Sequence, residues 1–417
     1  MEFIGSLKQL RSSWRFDLVA GFTVAIVALP LALGFGITSG AGAASGLATA
    51  IVAGLLAAIF GGSNFQVSGP TGAMTVILVP IIATYSISAL LPLGIMAGVL
   101  VILLGVLRLG RFVESIPWSV MEGFTLGIAL IIALQQVPLV FGVSSGKGES
   151  TLAIASDTVL KAIAGGVDWE TVGIVLFTLT IKILWSKFKN RFGPLSQLPA
   201  SAIAVVLATA LVAMTRIEVA TVGAIPAGDV FQIQGLDRSI DLSILVLPAV
   251  SIALLAAIEA LLAARVADSM AKSTDSGVSK KHNPNQELIG QGLASIGSAI
   301  VGGMPSTGAI ARTAVNVHSG AKTRYAAVFH SVALLVMVFA LAPVVSQIPL
   351  AALAGVLLGT SWRIANPRTI REALQTTWQS RLVYLSTAVF VLVVDLIVGL
   401  LAGIVLHLLL KLVGKSR

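Results

Sequence analysis

The 417-residue chain contains no cysteine, which excludes disulfides, thiolate metal sites and thiol catalysis. Charge is also scarce. Asp, Glu, Lys and Arg together make up 11% of residues against 56% hydrophobic. With a mean hydropathy of +0.98, that excludes an ordinary water-soluble domain and favours repeated bilayer-spanning runs. Acids are fewer than bases, 18 against 27, which leaves a net charge of +9. Nucleic-acid binding would need those bases on one soluble face, yet they sit in short loops between apolar runs and read as topology signals. Among the four histidines, His318 and His330 have no metal-ligand cluster near them. No nucleophile, P-loop or paired catalytic carboxylate stands out, so no enzyme, metal site or cofactor is expected. Met1-Glu2-Phe3-Ile4-Gly5 lacks the charged n-region and following h-region of a removable signal peptide.

Glycine is plentiful, and it concentrates in two broken stretches. Gly61-Gly62-Ser63-Asn64-Phe65-Gln66-Val67-Ser68-Gly69-Pro70-Thr71-Gly72-Ala73-Met74 recurs in weaker form as Gly302-Gly303-Met304-Pro305-Ser306-Thr307-Gly308-Ala309-Ile310. Both lie in very apolar sequence, where broken backbone is tolerated only if buried in protein or lining a polar cavity. A helix can begin at each Pro-Thr-Gly-Ala or Ser-Thr-Gly-Ala run, with Pro in the first turn and Ser or Thr at the cap. Free backbone N–H groups would then point outward. Interrupted segments at corresponding places in two halves point to a transporter's binding site, and paired helix N-termini favour an anion.

Apolar periodicity predicts spans at about 17–38, 41–60, 69–84, 91–107, 112–137, 170–187 and 198–214 in the first part of the chain. A second set follows at about 242–270, 286–303, from Ser306 onward, 323–341 and 349–362. The last apolar run, Arg381 to Val413, is too long for one span and reads as two helices, with Asp395 capping the second. A basic amphipathic lead (Lys8, Arg11, Trp14, Arg15) is expected on the inner membrane surface, and Leu29-Pro30-Leu31 predicts a kink. The polar stretch of about 143–169 reads as an outer loop with one surface helix. Alternation at Val230-Phe231-Gln232-Ile233-Gln234 predicts short extended structure, and Asn366 to Gln379 an inner amphipathic segment. Lys147, Lys161, Arg216 and Arg238 fall in outer loops and Arg312 within a span. Every other Lys and Arg, Lys182 included, falls in inner loops or termini. That bias supports fourteen spans in a cell (inner) membrane with both termini cytoplasmic. An odd seven then inverts the second set relative to the first, with the broken stretches at the third span of each.

Two charges lie deep inside spans, Glu259 in the eighth and Arg312 in the tenth. An ionised residue at a helix centre costs about 2.5–3.5 kcal/mol on insertion scales, so the two are expected to face each other. Arg312 would add fixed positive charge to the helix N-terminus, and Glu259 would neutralise it in the empty site. Protonating the Glu would release the Arg for an anion, coupling one proton to one anion. A structural ion pair between spans eight and ten is the plain alternative. Likewise, Thr71-Gly72-Ala73 and Ser306-Thr307-Gly308 could be packing contacts only. Glu114, Glu122 and Asp268 read as surface or gate groups, with Arg265 and Asp268 able to pair at i,i+3.

Several ordered motifs carry a family resemblance over essentially the whole chain. Asp17-Leu18-Val19-Ala20-Gly21-Phe22, Leu29-Pro30, Gly61-Gly62 to Thr75, Asn285-Gln286-Glu287-Leu288-Ile289-Gly290-Gln291-Gly292 and Ser319-Gly320-Ala321-Lys322-Thr323 resemble the SulP family of anion transporters. The resemblance implies an all-α membrane fold of fourteen segments as a seven-plus-seven inverted repeat, 1–216 and 242–417. It also implies a core of spans 1–4 and 8–11 and a gate of spans 5–7 and 12–14, with the anion between the facing ends of spans three and ten. The substrate-binding residues implied are Thr71, Gly72, Ala73, Ser306, Thr307, Gly308, Ala309 and Arg312, and Glu259 is the implied proton carrier. The look is nearest to bacterial proton-coupled dicarboxylate members, which keep a Glu and an Arg at the two charged positions. Sodium-coupled members tend to have Asp at the first and no Arg at the second. The expected function is proton-coupled symport of a small anion, a C4-dicarboxylate such as fumarate ahead of sulfate or bicarbonate, by a carrier that forms a homodimer. The alternatives are an exchanger, a sodium-driven bicarbonate transporter, a passive anion channel and a sensor. Two departures stand out. Leu31 and Phe35 occupy places where many members have Gln and Tyr, and the chain stops without the STAS domain that many carry.

Overall fold

The computed structural model describes residues 2–111, 116–148, 150–188, 191, 199–224, 230–233, 235, 240–273, 281–394 and 396–415. Within these it is helical almost throughout, and six helices are long and apolar enough to cross a membrane, among them Ser13–Thr38, Ile87–Val106 and Leu242–Asp268. The chain opens with α1 (Glu2–Thr38), which runs on through Pro30. The basic lead is thus continuous with the first span rather than a separate surface segment. Nothing between Glu2 and Asp17 breaks a helix, and 37 residues at about 1.5 Å each exceed one bilayer thickness.

The second span is itself divided. Helices α2 (Ala43–Ala48) and α3 (Gly54–Phe60) flank a π-helical turn, Thr49–Ala53. Thr49 donates to the Ser45 carbonyl (2.7 Å) and accepts from Met304 N (2.7 Å), tying the turn to the second broken stretch. Strand β1 (Ser68–Gly69) follows, then α4 (Gly72–Tyr85) and α5 (Leu90–Val106). Next come α6 (Trp118–Gln135), α7 (Val137–Phe141) and α8 (Thr151–Gly165). The polar stretch expected as an outer loop thus holds its expected helix, preceded by a short one. Helices α9 (Trp169–Phe188) and α10 (Ala200–Thr215) follow. Lys182, expected in an inner loop, lies inside α9.

Of the expected extended stretch, Val230–Ile233 and Gly235 are described and form no strand, whereas Val222 and Gly223 donate backbone bonds to Ile348 and Ser346. Helix α11 (Leu242–Ser273) carries Glu259, and α12 (Pro284–Ile300) carries the Asn-Gln-Glu motif. Strand β2 (Thr307–Gly308) precedes α13 (Ile310–His318). The chain closes with α14 (Tyr325–Ala340), α15 (Ala342–Val345), α16 (Leu350–Ala365), α17 (Pro367–Gln375), α18 (Trp378–Val393) and α19 (Leu396–Lys415). The long terminal run is therefore two helices; Asp395, expected to cap the second, lies outside the described residues, as do Glu114, Arg238 and Gln234.

The chain resolves into two compact units. One comprises Met1–Glu114, Phe188–Ile203 and Thr221–Ile348; the other comprises Ser115–Lys187, Ala204–Ala220 and Pro349–Arg417. In the first, α5 packs on α12 through facing glycines. A Cβ on Gly98 would lie 2.6 Å from the Gly292 carbonyl oxygen, so only glycine permits that approach. In the second, α6 and α18 are the principal pair, with Gly123 and Gly127 against Tyr384, Thr387 and Val391.

Two buried carboxylates explain the motifs at Asp17 and Glu287. Asp17 accepts the backbone N–H groups of Lys322 (2.8 Å) and Thr323 (2.9 Å) and the hydroxyls of Thr323 and Ser13. Glu287 accepts the N–H groups of Gly62 (2.9 Å) and Ser63 (3.0 Å) on Oε2 and the Gln291 amide on Oε1. Arg324 donates to the carbonyls of Ile59 and Gly61 from the other side. Backbone groups freed by the Gly61-Gly62 break are thus satisfied inside the protein, as an apolar surrounding demands.

Candidate functional site

The two broken stretches meet in a two-rung antiparallel ladder, with Ser68 opposite Gly308 and Gly69 opposite Thr307. The ladder belongs to the first unit and sets the positions of α4 and α13. Because its strands run in opposite directions, the two helices leave from opposite ends, each with its N-terminus at the ladder. Gln291 locks the first strand by donating to Ser68 Oγ at 2.6 Å while also holding Glu287.

On the first arm Thr71 is the N-cap residue of α4, with extended backbone, but its side chain makes no cap bond. Its hydroxyl donates to Glu259 Oε2 at 3.1 Å. Gly72 and Ala73, buried, form the first turn of α4, where backbone N–H groups have no intrahelical partner.

The second arm differs from the expected start near Ser306. Helix α13 begins at Ile310, because Thr307 and Gly308 are spent on the ladder and Ala309 N donates to the Val67 carbonyl (3.0 Å). Thr307 caps nothing; its hydroxyl donates to the Ala256 carbonyl of α11 at 3.0 Å. Ser306 N donates to Ser295 Oγ, while the Ser306 hydroxyl is buried with no protein partner. A Cβ on Gly308 would collide with the Gln66 amide and lie 3.1 Å from Ala260 Cα. Gly308 therefore makes room for Gln66. Side chains of α13 reach back to the first arm, Thr313 Oγ1 accepting from Val67 N (3.0 Å) and Asn316 Nδ2 donating to the Phe65 carbonyl (2.8 Å).

Arg312 is 1% exposed. Its Nη2 donates to the Pro70 carbonyl at 2.9 Å, and its Nη1 has no protein partner. Gly69, at φ +150°, admits the guanidinium, since a Cβ there would lie 2.8 Å from Nη1. Arg312 and Glu259, expected to face each other, interact electrostatically but share no hydrogen bond. The carboxylate is taken by Thr71 and the guanidinium by Pro70, and the two charges interact across a longer gap. Glu259 keeps partial exposure where Arg312 has almost none.

Several polar groups here were not singled out from the sequence as site residues. The Gln66 amide and both ring nitrogens of His330 are buried without a protein partner. Gln66 lay within the first broken stretch, and His330 is a polar residue in an apolar helix, a signal that warrants attention in any membrane segment. Leu31 and Phe35 are buried and apolar, so the first span offers no polar contact at those two places.

Residues 15–387 match the model of a family described as the sulfate permease family. A putative sulfate transporter, YvdB, of Bacillus subtilis is 32% identical over 96% of this chain and 74% of its own length. The bicarbonate transporter BicA of a Picosynechococcus strain is 33% identical over 92% of this chain and 68% of its own length. The solved transmembrane domain of a cyanobacterial BicA superposes with a TM-score of 0.79 at 28% identity, covering 95% of this chain and 97% of that one. The overall structure of SLC26A9 shares the fold, with a TM-score of 0.82 at 16% identity over 97% of this chain and 67% of that one.

Proposed function

Because the chain belongs to the sulfate permease family, as an integral membrane anion transporter and not an enzyme, we propose that it is a proton-coupled symporter of a small anion. The observation that carries this reading is the Arg312 guanidinium, buried at the ladder with Nη1 unpartnered. An anion there would take the Nη1 N–H and the N–H groups that open α4 and α13, at Gly72, Ala73 and Ile310. The charge-assisted bond and the two helix termini act in the same direction. Ser306, Thr307, Gly308 and Ala309 hold the second helix start in register, and Thr71 links the site to Glu259.

Coupling follows from that link. A charged Glu259 places negative charge beside the incoming anion and repels it. A proton on Glu259 removes the repulsion, so proton and anion occupy the protein together. The release step differs from simple breakage of a Glu–Arg pair, since Arg312 is already unpaired on one edge. A fixed guanidinium also disfavours a sodium ion at the same place, which favours the proton over sodium-driven bicarbonate uptake.

The first unit corresponds in this proposal to the core and the second to the gate of an alternating-access cycle carried out by a homodimer. The family resemblance favours a C4-dicarboxylate such as fumarate, while the relatives' names point to sulfate and bicarbonate. The test is uptake by purified protein in liposomes, with fumarate, sulfate and bicarbonate each offered with an inward proton gradient, a sodium gradient or neither. Concentrative uptake of one anion driven by the proton gradient supports the proposal. Equilibration without concentration would establish a channel, and sodium dependence would establish the alternative coupling.

A further inference from the structure

The second unit holds a pair of positive charges that the transport reading does not use. Lys182 lies inside the apolar helix α9, where an ammonium is costly and ordinarily meets a counter-charge. Its Nζ instead meets neutral acceptors on α16, the Val356 carbonyl at 2.8 Å and Thr360 Oγ1 at 3.1 Å. Helix α16 makes room for it at Gly359, where a Cβ would lie 2.9 Å from Nζ. Arg363 follows Gly359 and Thr360 by four and three residues, so it projects from the same face one turn on. Arg363 is exposed there, one turn beyond the residues that Lys182 touches. Arg363 makes no hydrogen bond to any described residue, and no described carboxylate lies within 4.0 Å of either cation.

A guanidinium that merely reached water from a helix end would need no lysine beside it. Here one helix gives up a side chain at Gly359 to admit a lysine one turn from an arginine, and no described carboxylate lies within 4.0 Å of either. We propose that Lys182 and Arg363 form a second anion site, separate from the ladder, that takes the phosphate group of an anionic lipid or free phosphate. The guanidinium fork fits two phosphate oxygens, the ammonium supplies a point charge, and basic pockets between spanning helices suit such groups. Trp362, 71% exposed on the neighbouring position, and Trp378, 60% exposed, are residues of the kind that settle at headgroup level.

The test uses the purified full chain and thermal unfolding titrated separately with short-chain phosphatidylglycerol, short-chain phosphatidylcholine and inorganic phosphate. Arg363→Gln is the informative variant because Arg363 makes no hydrogen bond to a described residue, and Arg363→Met serves if the first fails to fold. Phosphatidylglycerol should raise the wild-type melting temperature saturably, and the variant should need about tenfold more, as loss of a charged hydrogen bond implies. A matching difference with inorganic phosphate assigns the site to the phosphate group itself; its absence assigns it to the lipid headgroup; a difference with inorganic phosphate alone assigns it to a soluble anion. Equal responses of wild type and variant to both anionic probes, or an equal wild-type response to phosphatidylcholine, would overturn the proposal. The outcome does not depend on which anion the ladder site carries.

Discussion

The two broken stretches share a backbone plan and divide the chemistry unequally. The first leads into α4, whose run Gly72–Tyr85 contains no charged residue, and it supplies acceptors, the carbonyls of Phe65, Val67 and Pro70. The second leads into α13, nine residues long, whose Arg312, Thr313 and Asn316 all reach across to the first. One arm is scaffold and the other carries the charge. A repeated backbone motif can therefore set two helix starts against each other while a single side chain on one copy brings the only charge carried by either helix.

The sharpest way to break that asymmetry is Arg312→Ala. Anion binding should fall by about tenfold to a hundredfold, as expected for losing a charged hydrogen-bond donor, and uptake should vanish. Protein amount and melting temperature must be followed in parallel, because the change also strips the Pro70 carbonyl of its donor. Full uptake by a well-folded variant would return the charge to a structural role.

Glu259→Gln should act next most strongly, and selectively. The amide keeps the Thr71 hydroxyl as a partner and imitates the protonated carboxyl, so counterflow of labelled anion should persist while pH-driven concentration disappears. A variant that still accumulates anion against its gradient would remove Glu259 from the coupling.

The comparison is sharpened by matched changes at the facing rungs. Gly69→Ala places a Cβ against the Arg312 guanidinium at a positive φ and should cost about 1–3 kcal/mol with weakened binding. Gly308→Ala meets Gln66, the end of a side chain that can move, and should lower stability less and leave affinity nearly unchanged. Equal affinity losses in both would contradict the placement of Arg312 beside Gly69 alone.

The smallest effect belongs outside both stretches. Asp168 accepts from the hydroxyl and N–H of Thr171 and the N–H of Glu170 at the start of α9. The Thr171 hydroxyl bond, chiefly, holds its carboxyl below the usual carboxylate range. A depressed folded-state value contributes stability above the unfolded value, and that contribution is lost as pH falls through the folded one. Asp168→Ala should therefore cost about 1 kcal/mol at neutral pH and progressively less in acid. A pH-independent difference in unfolding free energy would argue against the assigned bonds.

What was legible in the sequence was set by long apolar runs and by Gly and Pro. These place the spans from Leu90 to Val106 or from Leu242 onward within a few residues, as well as the two breaks themselves. The ladder left no such trace, because two residues per strand from segments far apart in sequence give no local periodicity. Its effect on α13 was equally hidden: nothing at Ser306 announces that the next N–H groups go to Val67 and the facing strand. The π-helical turn at Thr49–Ala53 is tied to Met304 by a hydrogen bond, a contact that no reading of the second span alone reveals. Glu259 and Arg312 were found by the cost of intramembrane charge. That the two interact was legible in this way, whereas their hydrogen-bond partners, Thr71 and the Pro70 carbonyl, were not, because neither carries a charge that the cost of burial would single out.

The ladder has a consequence for how such a chain can vary over time. A pairing of two rungs has no spare length: a slip of one residue would face Ser68 away from Gln291 and Gly69 away from Arg312. Single-residue insertions or deletions between Ser63 and Thr71, or between Met304 and Ala309, should consequently be among the least tolerated in the molecule, and repair should come from a compensating length change in the opposite stretch. The two halves of the chain, joined at these rungs, are bound to change length together.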